Sequence, residues 1–321
     1  MAPLINSDLA AVSTGSTLYL YYQDGQSIRE TSSQDGKSWT ASSTTVSDEL
    51  SPDGSPFTAY HVKYDGSLDS KETIHVLYRD SRGSLRETAK VLSEGAEAQW
   101  TEIDVPDDIQ NAPIETSTLA SDVSHDDTTY GSFQWVFFVE APSSGPIRVA
   151  AIIRNKDNGW VWEHAKDLLE DPATALPGTS LATTVTISTA HLFFQDHDEN
   201  IVQYNGGYGS WNNKETVVKG DGVLPNTPIA VATSNAAESP HVFYVTRPSD
   251  SQLSSIQDYQ GGTTTQVTAG TYEPGSNIGA VTLGCETYLF LRGPASDPLS
   301  IVSLVLEGGS WEDNGTVVPS S

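Results

Sequence analysis

The chain has 321 residues and carries 42 acidic against 16 basic side chains, a formal net charge of −26 at pH 7. A surface this acidic repels phosphate backbones and anionic headgroups, which excludes nucleic acid and membranes as expected partners. The 26 Gly, 17 Pro and 28 aromatic residues (7 Trp, 13 Tyr and 8 Phe) favour short strands and turns over helices, so the composition predicts an all-β protein.

The first residues, MAPLINSDLAAVSTG, contain neither a basic segment nor an apolar core of signal-peptide length. No stretch approaches the roughly 20 apolar residues of a membrane span, so a soluble, cytoplasmic protein is predicted. Cys285 is the only cysteine, which excludes an internal disulfide and a cysteine-based metal cluster. Its neighbours predict the end of a buried strand and not a catalytic thiol.

An apolar run recurs six times along the chain. The copies are LYLYYQD (18–24), IHVLYRD (74–80), QWVFFVE (134–140), AHLFFQD (190–196), PHVFYVT (240–246) and TYLFLRG (287–293). We call the second residue of each run its marker: Tyr19, His75, Trp135, His191, His241 and Tyr288, spaced 47 to 60 residues apart. That period accommodates four strands and their turns.

Each apolar run is flanked by further predicted strands. A strand of small residues precedes it, from LAAVS (9–13) in the first repeat to IGAVT (278–282) in the last. A third strand follows, as in SIRET (27–31) and SLRET (84–88). A tryptophan then opens a fourth strand in every repeat but the fifth: Trp39, Trp100, Trp160 or Trp162, Trp211 and Trp311.

Four antiparallel strands per repeat, six times over, predict a six-bladed β-propeller, in which each blade packs both faces against its neighbours. Burial on both faces explains why the second strands are unbroken apolar runs. No linker or charge block interrupts the series, so residues 1–321 are predicted to form one domain.

The repeats resemble those of fungal fucose-specific lectins over essentially the whole chain. In that family a sugar pocket between adjacent blades uses an arginine at the marker position, a third-strand Glu or Gln, and an aromatic ring. None of the six markers here is arginine. Because a charged hydrogen bond contributes about 1.5–3 kcal/mol, the resemblance predicts that the fucose sites are dismantled.

The acidic position of that pattern is partly kept. Glu30 and Glu87 retain a carboxylate and Gln203 retains an amide. The alignment places Val149, Ser255 and Ile301 at this position in the other three repeats.

The chain is also similar to a branch of this family that lacks the same arginines. That branch acts as hetero-Diels–Alderases in fungal meroterpenoid biosynthesis, joining an ortho-quinone methide of a tropolone or benzenoid polyketide to a humulene-type alkene. The resemblance implies a pericyclase of secondary metabolism with apolar or aromatic small-molecule substrates, no cofactor and no metal. The oligomeric state stays open, with a homodimer as one possibility because related lectins form dimers. Such a reaction needs a dry crevice and a donor that polarises the quinone-methide oxygen.

We assign these two requirements to side chains at the predicted crevices. His75 and His191 are the expected catalytic donors. The expected substrate-binding residues are Tyr19, Trp135, His241, Tyr288, Arg29, Arg86, Trp39 and Trp100. A metal shared by the three marker histidines is excluded, because equivalent positions on different blades lie far apart. For any single marker, plain packing at a blade interface is the competing interpretation.

Two other classes of function stay open. One is a fucose-binding or other carbohydrate-binding lectin with degenerate sites at blades one and two, formed by Glu30 with Trp39 and by Glu87 with Trp100. The other is a non-catalytic interaction propeller. Arg29, Arg86 and Arg148 on the third strands either donate at the crevices or pair with surface carboxylates.

Overall fold

The computed structural model describes residues 7–68, 70–93, 98–114, 116–124, 133–165, 168–169, 173–186, 189–206, 211–233, 239–248, 254–267, 276–293, 296–297 and 299–319. Its strands form six four-stranded antiparallel sheets, each built from four consecutive strands. This is the predicted six-bladed β-propeller.

The first three blades comprise the following strands. Blade one contains β1 (Leu9–Ser13), β2 (Leu18–Asp24), β3 (Ser27–Ser33) and β4 (Thr40–Ala41). Blade two contains β5 (Phe57–Asp65), β6 (Lys71–Arg79), β7 (Leu85–Val91) and β8 (Thr101–Ile103). The short helix α1 (Asp107–Gln110) leads to blade three, which contains β9 (Leu119–Ser124), β10 (Phe133–Glu140), β11 (Arg148–Arg154) and β12 (Glu163–His164).

The last three blades follow the same order. Blade four contains β13 (Ala182–Val185), β14 (Ala190–Gln195), β15 (Ile201–Gly206) and β16 (Trp211–Val218). Blade five contains β17 (Ala230–Ala232), β18 (His241–Val245), β19 (Ile256–Gln260) and β20 (Thr263–Gln266). Blade six contains β21 (Gly279–Leu283), β22 (Glu286–Arg292), β23 (Ile301–Glu307) and β24 (Ser310–Val318).

The first strands of the six blades form a closed inner ring. Each contacts the first strands of both neighbouring blades, and β1 contacts β5 on one side and β21 on the other. The last strand, β24, pairs with β23 of its own blade, so the ring closes by packing of β1 on β21 and not by exchange of a strand. Asp8 helps this closure, since it accepts hydrogen bonds from the Phe57 backbone of blade two (3.0 Å) and the Asn277 side chain beside blade six.

Alternate residues of a second strand pack against opposite neighbours. On β10, Val136 and Phe138 belong to the apolar core shared with blade two, whereas Phe137 and Val139 belong to the core shared with blade four. Successive side chains of a strand point to opposite faces, so a strand buried on both faces needs apolar residues at every position. The unbroken apolar runs therefore predicted the blade packing correctly.

The tryptophans of the fourth strands pack backwards onto the preceding blade. Four of them meet a ring two positions after that blade's marker, edge to face, at centroid distances of 5.1 to 5.9 Å; the pairs are Trp39 with Phe290, Trp100 with Tyr21, Trp211 with Phe137 and Trp311 with Phe243. In blade three the equivalent residue is Trp162, which is buried beside blade two. In the five blades that carry this tryptophan, it therefore closes the crevice toward the preceding blade.

Because these tryptophans pack onto the preceding blade, two expected pairs of glutamate and tryptophan are corrected. Glu30 lies with Trp100 and not with Trp39, and Glu87 lies with Trp162 and not with Trp100. The sequence pattern places each tryptophan in the same repeat as its glutamate, but the carboxylate faces the next blade.

The turn that contains the single cysteine differs from the sequence expectation. Cys285 is exposed, which contradicts the expected buried strand end, because Gly284 and Cys285 form the turn between Leu283 and Glu286. Gly284 has a φ of 63°, a conformation that glycine adopts without strain.

Within the described ranges, no helix has the length and apolar character needed to cross a membrane.

Candidate binding sites in the crevices and the axial channel

The strand register fixes which third-strand residue faces each crevice. The residue two positions after the marker pairs with it, as in Tyr21 with Glu30, Leu77 with Glu87 and Phe193 with Gln203. The same register in the remaining blades gives Ala151, Asp258 and Ser303 in place of the expected Val149, Ser255 and Ile301. The loops that precede these third strands differ in length, so an alignment made without the register misplaced them by two or three residues.

The crevice between blades two and three is filled by a buried polar cluster around His75. The His75 side chain is 0 % exposed. Its Nε2 lies 2.6 Å from Asp65 Oδ2 and its Nδ1 lies 2.7 Å from Glu87 Oε1. Both ring nitrogens face carboxylates, and Arg154 Nη2 also lies 3.0 Å from Nδ1. Tyr60 stacks on the ring at 5.0 Å.

Arg154 enters this cluster from blade three. It donates to Glu87 from Nη2 (2.8 Å) and Nη1 (3.1 Å), and its Nε donates to Gln134 (2.7 Å). The guanidinium lies 4.5 Å above the ring of Trp162, whose Nε1 donates to Glu87 at 2.6 Å. The Arg154 guanidinium therefore compensates the buried charge of Glu87.

The pKa values of the two carboxyl groups follow from these contacts. Burial acts to raise the pKa of Asp65, but the hydrogen bond and charge of His75 and the charge of Arg154 outweigh it and hold the pKa well below its usual range. Burial likewise opposes ionisation of Glu87, and Arg154 and His75 lower its pKa. Both carboxyl groups are therefore ionised at neutral pH, as a structural ion cluster requires.

Four other markers are also buried at blade interfaces. Trp135 packs edge to face on Trp211 at 5.8 Å, and the Tyr288 hydroxyl donates to Glu286 at 2.5 Å. His241 Nδ1 lies 3.0 Å from both oxygens of Asp258. His191 lies within reach of Asn205 and Thr186, and burial lowers its pKa, so the ring is neutral near pH 7.

These placements change the expected picture of the crevices. The rings of His75 and Tyr288 fill the interfaces instead of lining open clefts, because partner groups of the chain occupy the space. A catalytic role for His75 or His191 stays a prediction. Neither ring has an open face in this fold that accounts for such a role.

The third-strand arginines pair with nearby acidic and hydroxyl groups. Arg29 donates to Thr45 (2.7 Å) and lies 3.7 Å from Asp24, and Arg86 lies 3.2 Å from Asp80. Arg148 lies 2.6 Å from Glu140 on the exposed surface. These contacts agree with the alternative in which the arginines serve surface carboxylates.

The crevice between blades one and two contains a buried cation and carboxylate with two partly exposed rings beside them. Lys90 of blade two reaches Glu30 of blade one, with its Nζ 2.7 Å from Oε1 and 2.5 Å from Oε2. The ammonium lies 4.9 Å from the centre of the Tyr19 ring and 5.1 Å from that of Trp100. Lys90 and Glu30 are 7 % and 5 % exposed, and Tyr19 and Trp100 are partly exposed.

Sequence reasoning missed both cations that enter these crevices. Lys90 lies three residues after Glu87 on the same strand, so strand alternation places it on the opposite face, toward blade one. Arg154 ends the apolar strand β11 and shares a face with Ile152, which packs on blade two. The sequence signal that could have identified both cations is a basic residue at a buried position of a third strand.

The inner ring encloses an axial channel with two unequal halves. The narrow half, at the start of the first strands, has a volume of about 120 Å³ and is lined by residues such as Asp8, Phe57 and Ile278. The wide half, at the end of these strands, has a volume of about 860 Å³. Its wall includes Tyr60, Asp122, Trp135 and many alanine, valine, serine and threonine side chains.

Within the described ranges, no group of three His, Cys, Asp or Glu side chains is arranged to hold a metal ion.

Known structures share the whole architecture. Aleuria aurantia lectin, a six-bladed propeller solved with a novel fucose recognition mode, matches with a TM-score of 0.75 at 17 % identity over 100 % of this chain and 98 % of that one. AofleA from Arthrobotrys oligospora matches with a TM-score of 0.74 at 15 % identity over 100 % and 88 %. No family model and no curated protein sequence matches the chain. The fold is therefore that of a fungal-lectin-type six-bladed propeller.

Proposed function

We propose that the protein is a carbohydrate-binding propeller with one principal site, the crevice between blades one and two. The observation that carries this proposal is the pair of Lys90 and Glu30, set between Tyr19 and Trp100. It restores a cation, a carboxylate and aromatic rings at a blade boundary, although the cation comes from the opposite wall.

The chemistry of this crevice suits a pyranose. An ammonium has three N–H donors and a carboxylate has several acceptor sites, so both groups can bind neighbouring hydroxyls beyond the bonds that they make to each other. Partly exposed rings offer apolar surface for the C–H face of a sugar. The crevice between blades two and three has the same group types, but His75 and Trp162 fill it completely.

The test is a calorimetric titration with methyl α-L-fucoside, then with other methyl glycosides. Lys90→Met is expected to weaken binding at least about tenfold, since a charged hydrogen bond contributes about 1.5–3 kcal/mol. Lys90→Arg should retain binding because it keeps the cation. Lys214→Met, at an exposed lysine paired with Asp196, is the control and should bind as the parent does. Equal affinity of Lys90→Met and the parent would reject the proposal.

A second candidate is the hetero-Diels–Alderase activity implied by the sequence resemblance. The volume of the wide channel half favours it, because about 860 Å³ lies in the range of small-molecule sites and can hold two apolar partners. Product stereochemistry is the measure, with a quinone-methide precursor and humulene incubated with the parent, Ala232→Trp and Lys90→Met.

The enzyme candidate predicts different product ratios for these two variants. Ala232 lines the wide channel half, so Ala232→Trp narrows the channel and should abolish control of the product ratio, whereas Lys90→Met should leave that control intact. A product ratio equal to that without protein would exclude the enzyme and leave the lectin proposal untouched.

A further inference from the structure

The wide half of the axial channel contains a ring of six equivalent positions. Each lies on a first strand directly opposite a marker; the six are Val12, Tyr60, Asp122, Thr184, Ala232 and Val281. All six line the cavity. Asp122 is the one carboxylic acid among them, in a position where the other five blades place apolar or hydroxyl-bearing side chains.

Asp122 has little to stabilise a negative charge. Its Oδ1 accepts a hydrogen bond from the neighbouring Val123 backbone at 2.7 Å. In the described part of the chain no Lys, Arg or His forms an ion pair with it. Burial among the inner strands raises the pKa of Asp122 to about 7. A large fraction of this carboxyl is therefore protonated near neutral pH and carries an O–H donor.

The other titratable groups facing this space are accounted for. Tyr60 on β5 directs its hydroxyl to Gln134 (2.8 Å) and receives Arg154. His61 on β5 contacts Glu72 at 2.9 Å, and burial lowers its pKa. The facing residues of β10 and β13, Trp135 and Thr184, do not titrate in this range. Among the described residues that line the wide half, none is a lysine or an arginine.

We propose that the wide half of the axial channel binds an apolar small molecule that carries a carbonyl-type oxygen, with the Asp122 carboxyl as the hydrogen-bond donor to that oxygen. Alanine and valine side chains supply the apolar part of a wall that also carries serine and threonine hydroxyls, and the single acid fixes the orientation of the ligand. This site is separate from the carbohydrate crevice. It would give the second candidate function its location and its oxygen-polarising group, and it rests on that function only for the choice of probe.

The probe is zerumbone, a ketone with the humulene skeleton, labelled with ¹³C at the carbonyl; α-humulene, which lacks the oxygen, is its control. At about pH 6, where Asp122 is largely protonated, zerumbone should bind about fivefold more tightly than humulene, as expected for one hydrogen bond of about 1 kcal/mol. The bound carbonyl resonance should move downfield. As pH rises past about 8 the carboxylate forms, so the shift and the preference should disappear.

Three variants distinguish hydrogen-bond donation by Asp122 from a purely structural role of this residue. Asp122→Asn keeps an N–H donor and should give a downfield shift at every pH, whereas Asp122→Leu should bind humulene as the parent does and lose the shift. His61→Gln should keep the pH dependence of the parent. Thermal unfolding confirms that each variant is folded.

Several outcomes would overturn the proposal. These are a pH-independent shift in the parent, equal affinity for zerumbone and humulene at about pH 6, or no binding of zerumbone together with binding of cyclooctylamine that strengthens as pH rises. The last result would identify an anionic cation site. None of them bears on fucoside binding at Lys90, so the two proposals fail independently.

Discussion

The guanidinium of Arg154 on blade three holds the carboxylate of Glu87 on blade two, with N–O distances of 2.8 and 3.1 Å. The same relationship recurs one blade earlier, where Lys90 of blade two holds Glu30 of blade one at 2.5 and 2.7 Å. In both crevices the marker lacks arginine, and a cation from the following blade takes its electrostatic place. Both pairs are buried, but only the pair of Lys90 and Glu30 has partly exposed rings, Tyr19 and Trp100, beside it, and this distinguishes the candidate site from the structural cluster.

The buried pair makes a prediction about stability. Arg154→Met should lower the free energy of unfolding by about 3–5 kcal/mol, because it leaves the buried Glu87 without its main cation. Arg148→Met is the matched control, since the Arg148 side chain is 47 % exposed and its pair with Glu140 should contribute about 0–1 kcal/mol. Urea unfolding of the three proteins measures both differences. Equal losses for the two variants would contradict the assignment of the cluster.

The unfolding free energy at acidic pH should depend on the same buried cluster. The pKa values of Asp65 and Glu87 are lower in the folded state than the values near 4 of unfolded carboxyl groups. Their contribution is therefore complete above about pH 5 and is lost as pH falls toward the folded pKa values. The difference in unfolding free energy between the parent and Asp65→Asn should grow from about pH 2 to about pH 5 and then stay constant. A difference that does not change with pH would show that Asp65 acts only by packing.

A close contact at the boundary of blades six and one gives a third prediction. Gly36 has a φ of 69°, and a Cβ built there would overlap the ring of the buried Tyr288. Gly36→Ala should cost about 3 kcal/mol or more, from the strained backbone and the overlap together. At Gly25 the φ is 59° and no atom lies within 4 Å of the built Cβ, so Gly25→Ala should cost only about 1–2 kcal/mol. Thermal unfolding that ranks the two variants in the reverse order would refute this account.

The fold was predictable from sequence because its signals repeat. The six apolar runs, the small-residue first strands and the spacing of the markers identify blades packed on both faces without any knowledge of the loops. The pairing of residues between neighbouring strands was harder to predict from sequence. The third-strand residue at each crevice depends on the length of the preceding loop, which is why Asp258 was missed in favour of Ser255.

The candidate site was harder to predict because it is built across a blade boundary. Within one repeat Glu30 is near Trp39 in sequence, but the carboxylate faces Trp100 and Lys90 of the next blade. Whether a marker ring lines a crevice or fills it depends on what the neighbouring blade inserts, and the Trp211 ring against Trp135 is an example. The wide half of the axial channel gave no sequence signal except one acid, Asp122, in a small-residue strand.

The most direct test of carbohydrate binding in the first crevice is to observe the Lys90 ammonium by ¹⁵N NMR during titration with methyl α-L-fucoside. The resonance is assigned by its absence in Lys90→Arg, and the signal of Lys214 serves as the internal reference. A saturable shift of the Lys90 signal, with that of Lys214 unchanged, is the predicted result. A Lys90 resonance that does not move while the fucoside binds elsewhere on the protein would contradict the proposed site.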